Sequence, residues 1–292
     1  MRKERRDAYL LQKVDGLHTI FPYIMKNRTD AEISMTEAFD VTELNSYMAK
    51  VNAEDGTNIK LFHAICTAVA KTIYWRPKLN IFISGKKYWQ RKDITLSFVV
   101  KRTFEDTSEE SLMVLTVKPE MTLRSISKDI LGDVSQLRKN GGQNDIQDMI
   151  ELFAKIPRFI LTFVFWILYR LEYHGIMPKA LTEGDTNYTT CLLSNLGSIK
   201  SGAPYHHLNN YGTNSFVITI GTMHKSVVVM NDGREHLRDI VEMTVTLDER
   251  IADGFYFARS LKLAKYLIEN PEEMEQTIGE ELSEGAKAAI GQ

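Results

Sequence analysis

Residues 159–169 are the most apolar stretch of this chain, Phe-Ile-Leu-Thr-Phe-Val-Phe-Trp-Ile-Leu-Tyr, with Arg158 before it and Arg170 after it. The stretch is far shorter than the roughly 20 residues a membrane-spanning helix needs. A helix that is apolar on all sides has to be covered by something. The reading taken is a helix buried inside the protein; an interfacial membrane helix and a subunit contact are the other two covers. Burial needs a sizeable core, and 292 residues with 43% hydrophobic and 25% charged side chains supply one. Lys and Arg number 36 against 38 Asp and Glu, so no basic field exists to hold a nucleic-acid backbone. Cys66 and Cys191 are too few for a disulfide scaffold or a four-Cys zinc site. His18, His174, His224 and His236 show no pair at metal-ligand spacing, so no metal is expected. The charged start, Met1 to Arg6, is not followed by an apolar signal stretch. With the sparse cysteines, this points to a cytoplasmic protein.

No Pro- or Ser-rich linker and no repeat interrupts the sequence, so residues 1–292 read as a single domain. Residues 1–27 look helical and 33–41 look like a strand. Thr42 reads as a helix N-cap with Glu43 early in the turn. Asn58 reads as the cap of a second helix, in which Leu61, Ile65, Ala68 and Ile73 lie near one face and Arg76-Pro77 ends the run. Strands are expected at 80–84, 94–100 and 112–117, with a turn at Ser84-Gly85-Lys86-Lys87. Residues 122–174 read as mostly helical, broken near Gly141-Gly142 and around Pro157. Strands return at 188–193, 215–220 and 226–230, and Asn231-Asp232-Gly233-Arg234 is a hairpin signal. Residues 236–247 alternate apolar and polar with one slip near Val241, and helices are expected over 252–269 and 271–284. This order predicts an α+β fold, with helices packed against a large mixed sheet.

The segment carrying most chemical information is 243–255, Met-Thr-Val-Thr-Leu-Asp-Glu-Arg-Ile-Ala-Asp-Gly-Phe. It reads as a strand, a tight turn and a helix start, an arrangement that projects a side chain from a rigid strand end. It resembles the Asp-His-Arg-x-x-Asp-Gly motif of the acyltransferase catalytic domain of 2-oxo acid dehydrogenase complexes, whose fold is shared by chloramphenicol acetyltransferase. Asp248, Arg250, Asp253 and Gly254 match, while Glu249 stands at the histidine position. Four more stretches match in order. They are residues 38–44, His63 to Lys71 followed by Arg76-Pro77-Lys78-Leu79-Asn80, then Ser194-Asn195-Leu196-Gly197, and the apolar strand 215–221. The resemblance covers about residues 15–270.

The resemblance implies the chloramphenicol acetyltransferase-like α+β fold and a homotrimer with active sites between subunits. It also implies a base that takes the proton of a CoA or dihydrolipoamide thiol, and a hydroxyl that holds the oxyanion. Coenzyme A would enter as a substrate. Ser194 matches the hydroxyl, with Ser198 close enough to leave the register open. Asn195 and Gly197 belong to that motif, and Asp253 would hold the loop. Glu249 changes the chemistry. A thiol near pKa 8.5 stands about 2 units above His but about 4 above Glu, so proton transfer is about 3 kcal/mol less favourable. Glu249 is therefore a weak base, or the site is dead or repurposed. The alternative to a CoA-dependent acyltransferase with a degenerate motif is an inactive trimeric acyl-CoA-binding or scaffold protein.

No lipoyl domain, lipoylation turn or subunit-binding domain is read in the sequence, so the acyl acceptor is left unassigned. His206 and His207 lie in a polar insertion, 205–212, between two strands. It reads as a surface loop or as a ligand contact that supplies a displaced base; the spacing of a condensation-domain His-His motif is not met. His63 on an apolar helix face reads as a satisfied core histidine. The basic run 85–92, with Tyr88 and Trp89, reads as a solvated hairpin, or as a seat for CoA phosphates.

Overall fold

The computed structural model describes residues 4–101, 110–139, 153–230 and 232–291. Its centre is a mixed sheet in the order β2(Glu32–Asp40), β10(Glu235–Asp248), β8(Phe216–Ile220), β7(Cys191–Asn195), β5(Ile94–Lys101) and β6(Glu110–Val117), with β9(His224–Val229) paired to the first half of β10. β7 runs parallel to both β5 and β8; the other pairings are antiparallel. The expected α+β class, with a large mixed sheet flanked by helices, is what the chain adopts.

One face of the sheet carries the core. Leu96, Leu193, Ile218, Val245 and Leu247 pack there beneath α2(Thr42–Asp55), α3(Leu61–Trp75) and α4(Leu123–Lys139). Residues 63–73 of α3 are all buried. His63 is the core histidine the sequence suggested: its Nδ1 accepts from the Lys60 N–H at 3.3 Å and lies 2.8 Å from the Ser127 hydroxyl. Burial, aided by the charge of Lys60, lowers its pKa to about 4.

The slip near Val241 has a structural cause. β10 pairs with β9 as far as Ile240 opposite His224, and with β8 from Met243 opposite Ile220. The strand changes neighbours in between, and the Gly221 N–H bridges to the Glu242 carbonyl there.

Several local expectations are corrected. Residues 1–27 are not one helix: β1(Ala8–Leu10) pairs with β4(Lys87–Arg91), and only α1(Gly16–Ile24) is helical. Thr42 is the first helical residue and not the cap. The Asp40 carboxylate, two residues back, takes both its N–H and its hydroxyl proton, at 3.0 and 2.7 Å. Lys60, not Asn58, precedes α3. Residues 77–80 form a 3-10 turn before β3(Ile81–Ser84). Residues 271–284 hold a 3-10 turn, Pro271–Met274, and α7 is shorter, Glu284–Ala289. The Gly141-Gly142 break lies outside the described residues.

The run 85–92 is not a solvated hairpin. Lys86 is exposed, but Tyr88, Trp89 and Arg91 are buried, because β1, β4 and β3 form a second sheet against the first. The apolar run is helical, as α5(Arg158–Tyr173), but not buried. Only Leu168 of it is buried; Phe159 is 77% exposed, Phe163 59% and Trp166 58%. α5 packs through Val164, Phe165 and Leu168 onto Met177, Tyr188 and Tyr211, a small cluster separate from the main core. Among the described residues no helix is long and apolar enough to cross a membrane.

Candidate active site

The turn after β10 is built around one buried ion pair. Arg250 donates from Nε to Asp248 Oδ1 at 2.7 Å and from Nη2 to Oδ2 at 2.6 Å, and both side chains are buried. Two parallel bonds of this kind fix orientation as well as charge. A third guanidinium bond, from Nη1, reaches the Met25 carbonyl at 2.7 Å and ties the turn to the end of α1. Burial pushes Arg250 down, but the hydrogen bonds and charge of Asp248 outweigh it and hold its pKa above the ordinary value. The Tyr88 hydroxyl donates to the Arg250 carbonyl at 3.1 Å, and burial, with the Asp248 charge, raises its pKa.

Between these two anchors Glu249 is attached by its backbone. Its N–H donates to the Ala31 carbonyl at 2.8 Å, and its side chain is exposed. Ile251 and Ala252 then turn inward, and Asp253 caps α6(Gly254–Glu269), accepting from the Tyr256 N–H at 2.8 Å. Asp248, Arg250, Asp253 and Gly254 therefore all serve the turn, while Glu249 is presented outward and no side-chain hydrogen bond to the described residues engages it.

Ser194 lies at the end of β7, half-buried. Its register partner is Thr219 of β8, which in turn faces Thr244 of β10. These side chains share the sheet face opposite the helices, with Ser34 and Thr36 hydrogen-bonded to Thr246 and Thr244 at 2.8 and 3.0 Å. Among the described residues the Thr219 hydroxyl, buried there, has no hydrogen-bond partner. This hydroxyl face was missed in the sequence, although Thr244 and Thr246 mark it by their period of two in an otherwise apolar strand. Ser198 is committed locally, donating to the Asn195 carbonyl at 2.8 Å. Gly197 is pressed against the Gly221 carbonyl, where no Cβ fits.

Within one chain Ser194 and Glu249 do not meet. Thr244 is level with Ser194, and Asp248 lies four residues further along β10. At about 3.3 Å per residue that is roughly 13 Å along the strand, and two strand spacings add roughly 10 Å sideways. The loop bearing His206 and His207 runs over the hydroxyl face toward the Glu249 corner. Thr244 Oγ1 donates to the Ala203 carbonyl at 3.0 Å, and the Leu208 N–H donates to Glu32, the register partner of Asp248, at 3.0 Å. His206 Nδ1 lies 2.9 Å from the His207 carbonyl. A carbonyl can only accept, so Nδ1 is the donor in that contact and Nε2 is the ring nitrogen left for a ligand. Among the described residues no group of three or more His, Cys, Asp or Glu side chains is arranged to hold a metal.

Comparison with known proteins bears on this arrangement. Residues 176–275 match the family model of the 2-oxoacid dehydrogenases acyltransferase catalytic domain. The lipoamide acyltransferase component of the branched-chain alpha-keto acid dehydrogenase complex of Bacillus subtilis is 25% identical over 240 residues, 80% of this chain and 46% of the relative. The chain thus spans about half the length of that protein. A probable dihydrolipoamide acetyltransferase from Listeria monocytogenes superposes with a TM-score of 0.59 at 18% identity, over 89% of this chain and 94% of that one. The dihydrolipoamide acetyltransferase of Azotobacter vinelandii gives 0.60 at 13% identity, over 90% and 93%. A truncated catalytic core of the 2-oxoacid dehydrogenase multienzyme complex from Thermoplasma acidophilum gives 0.56 at 17% identity, over 89% and 98%. The resemblance read from the sequence therefore holds: the chain is similar to the acyltransferase catalytic domain of 2-oxo acid dehydrogenases, shares its fold, and carries the family match over residues 176–275.

Proposed function

We propose that the chain is a CoA-dependent acyltransferase of the 2-oxo acid dehydrogenase type. It would move an acyl group between a CoA thioester and an acceptor still to be identified, and act as a homotrimer. The observation that carries this reading is the turn after β10, where a buried Asp248–Arg250 pair and the Asp253 cap leave one side chain, Glu249, presented at the end of a rigid strand. The family match spans both Glu249 and Ser194, which supports treating them as one apparatus.

In this reading a base takes the proton of the attacking thiol, and the thiolate adds to the thioester carbonyl. The Ser194 hydroxyl donates to the oxyanion, and collapse expels the second thiol, which regains the proton from the base. The wide separation of Glu249 and Ser194 within one chain supports an active site completed by a neighbouring copy. Glu249 is one candidate base; His206, whose Nε2 is not used in the contact to the His207 carbonyl and which lies on the loop beside the same corner, is the other.

A second reading is favoured by Glu249 itself. A carboxylate is a weaker base than imidazole and brings negative charge near a developing oxyanion, as expected of an inactive trimeric acyl-CoA binder or scaffold. Thiol release from acetyl-CoA, measured with a panel of acceptors, separates the two. The expected result is a slow native rate that rises at least tenfold in Glu249→His and is lost in Glu249→Ala. Loss in His206→Asn with Glu249→Ala unaffected assigns the histidine instead. If the native protein and Glu249→Ala are equally inert while CoA still binds, the binding reading stands. Sedimentation tests the trimer directly.

A further inference from the structure

On the other side of the Arg250 turn, between the end of α1, the Gly85-Lys86 turn and the end of α5, lies an open cleft of about 540 Å³. Four cations line it: Lys26, Arg28, Lys86 and Arg250. Glu172 is the one carboxylate in the lining, and it is already engaged, accepting from Arg5 and from Ser84 at 2.8 Å each. Arg250 is neutralised by Asp248. Arg28 has no ion-pair partner among the described residues. It is buried, and its guanidinium bonds to the described residues go to backbone carbonyls, that of Asn209 at 2.8 Å and that of Gly212. Burial lowers its pKa; the charge of Asp248 pulls the other way, Arg250 adds to the lowering, and Glu172 opposes it again. Lys26 and Lys86 at the rim are exposed. Their charges have no counterpart in the lining.

A buried guanidinium with no carboxylate bonded to it among the described residues, facing a cleft with two more cations, one of them Lys86 over the Tyr23 ring at 4.2 Å, is a costly arrangement unless an anion joins it. We propose that this cleft binds a phosphorylated small molecule. A phosphate monoester brings about two negative charges and three acceptor oxygens, which matches a cationic fork and two ammonium groups better than a lone carboxylate does. The volume falls within the usual range for small-molecule sites, about 300–1,000 Å³. Tyr169 and Tyr173, both half-exposed on α5, supply apolar rings beside the charges for the rest of the ligand. Gly85 shapes the floor: its backbone has φ +59° and a Cβ there would strike the Tyr173 carbonyl. α5 and the segments from α1 and the hairpin lie outside residues 176–275, so most of this cleft is built from chain beyond the family match.

The inference does not rest on acyl transfer, and its test is a binding measurement. Inorganic pyrophosphate, ADP and CoA are titrated into the full chain by calorimetry at low salt. Saturable binding of pyrophosphate and ADP is expected, weakened at least tenfold in the double variant Lys26→Glu/Lys86→Glu and weakened again by added salt. Both lysines are exposed, so the unfolding midpoint of the free protein is expected to stay unchanged. Competition between CoA and ADP would identify the phosphates of CoA as the source, and ADP binding indifferent to CoA would identify a separate phosphate ester. Absence of saturable binding to pyrophosphate and ADP, or binding unaffected by the double charge reversal, overturns the proposal.

Discussion

Helices α3 and α5 are of nearly equal length and both strongly apolar, yet they meet opposite fates. α3 lies across the middle of the sheet with α4 and α6 beside it, and its residues 63–73 are all buried. α5 lies off the sheet on a loop cluster, and Phe163 and Trp166 stack on its outer side with ring centroids 5.8 Å apart, open to solvent. Hydrophobicity alone does not decide burial. The position of the segment relative to the sheet decides it. A segment can be apolar all round because a cover exists in the same chain, or because its cover is another molecule.

The comparison makes sharp demands. Ile65, fully buried in α3, should destabilise the protein by about 2–5 kcal/mol when truncated in Ile65→Ala, read by urea unfolding. A smaller effect concerns pH. His63 is neutral in the fold, with a pKa of about 4 against about 6.5 when unfolded. Above pH 6.5 both states are neutral and the fold keeps its full stability. As pH falls from 6.5 toward 4, the unfolded chain takes up a proton that the folded one refuses, so stability drops by up to about 3 kcal/mol. In His63→Asn, whose side-chain carbonyl can still accept from Lys60, that part of the drop should vanish. The smallest expected effect is on α5. Phe163→Ser with Trp166→Ser should change unfolding free energy by no more than about 0.5 kcal/mol each, while reducing association measured by sedimentation and by flotation with liposomes. A loss of about 2 kcal/mol or more in the isolated chain would show that α5 belongs to the core after all.

Where local pattern and tertiary demand agree, the elements could be read from sequence. β10 alternates because one face meets the helices, and its end is marked by Asp248, Arg250 and Asp253, so strand, turn and helix start were all recognisable. β1 was not, because three residues become a strand only by pairing with Ala8 opposite Arg91, far along the chain. The caps of α2 and α3 were misread for a similar reason: Asp40 does from outside the helix what Thr42 seemed placed to do. Of the candidate site, the residues were legible but their separation was not, since only the β7–β8–β10 register shows that Ser194 and Glu249 sit at different ends of the sheet. Of the cationic cleft only Lys86 was marked as such in the sequence, inside the basic run 85–92 that also read as a seat for CoA phosphates. Lys26, Arg28, Lys86 and Arg250 are scattered over three distant segments and come together only through the fold.

The clamp formed by Asp248 and Arg250 has a further effect on position 249. Because its neighbours do all the folding there and its own backbone N–H supplies the link to Ala31, the side chain between them owes nothing to the architecture. That position behaves as a socket: a different reagent can be fitted, imidazole or carboxylate, and the mount does not have to be rebuilt.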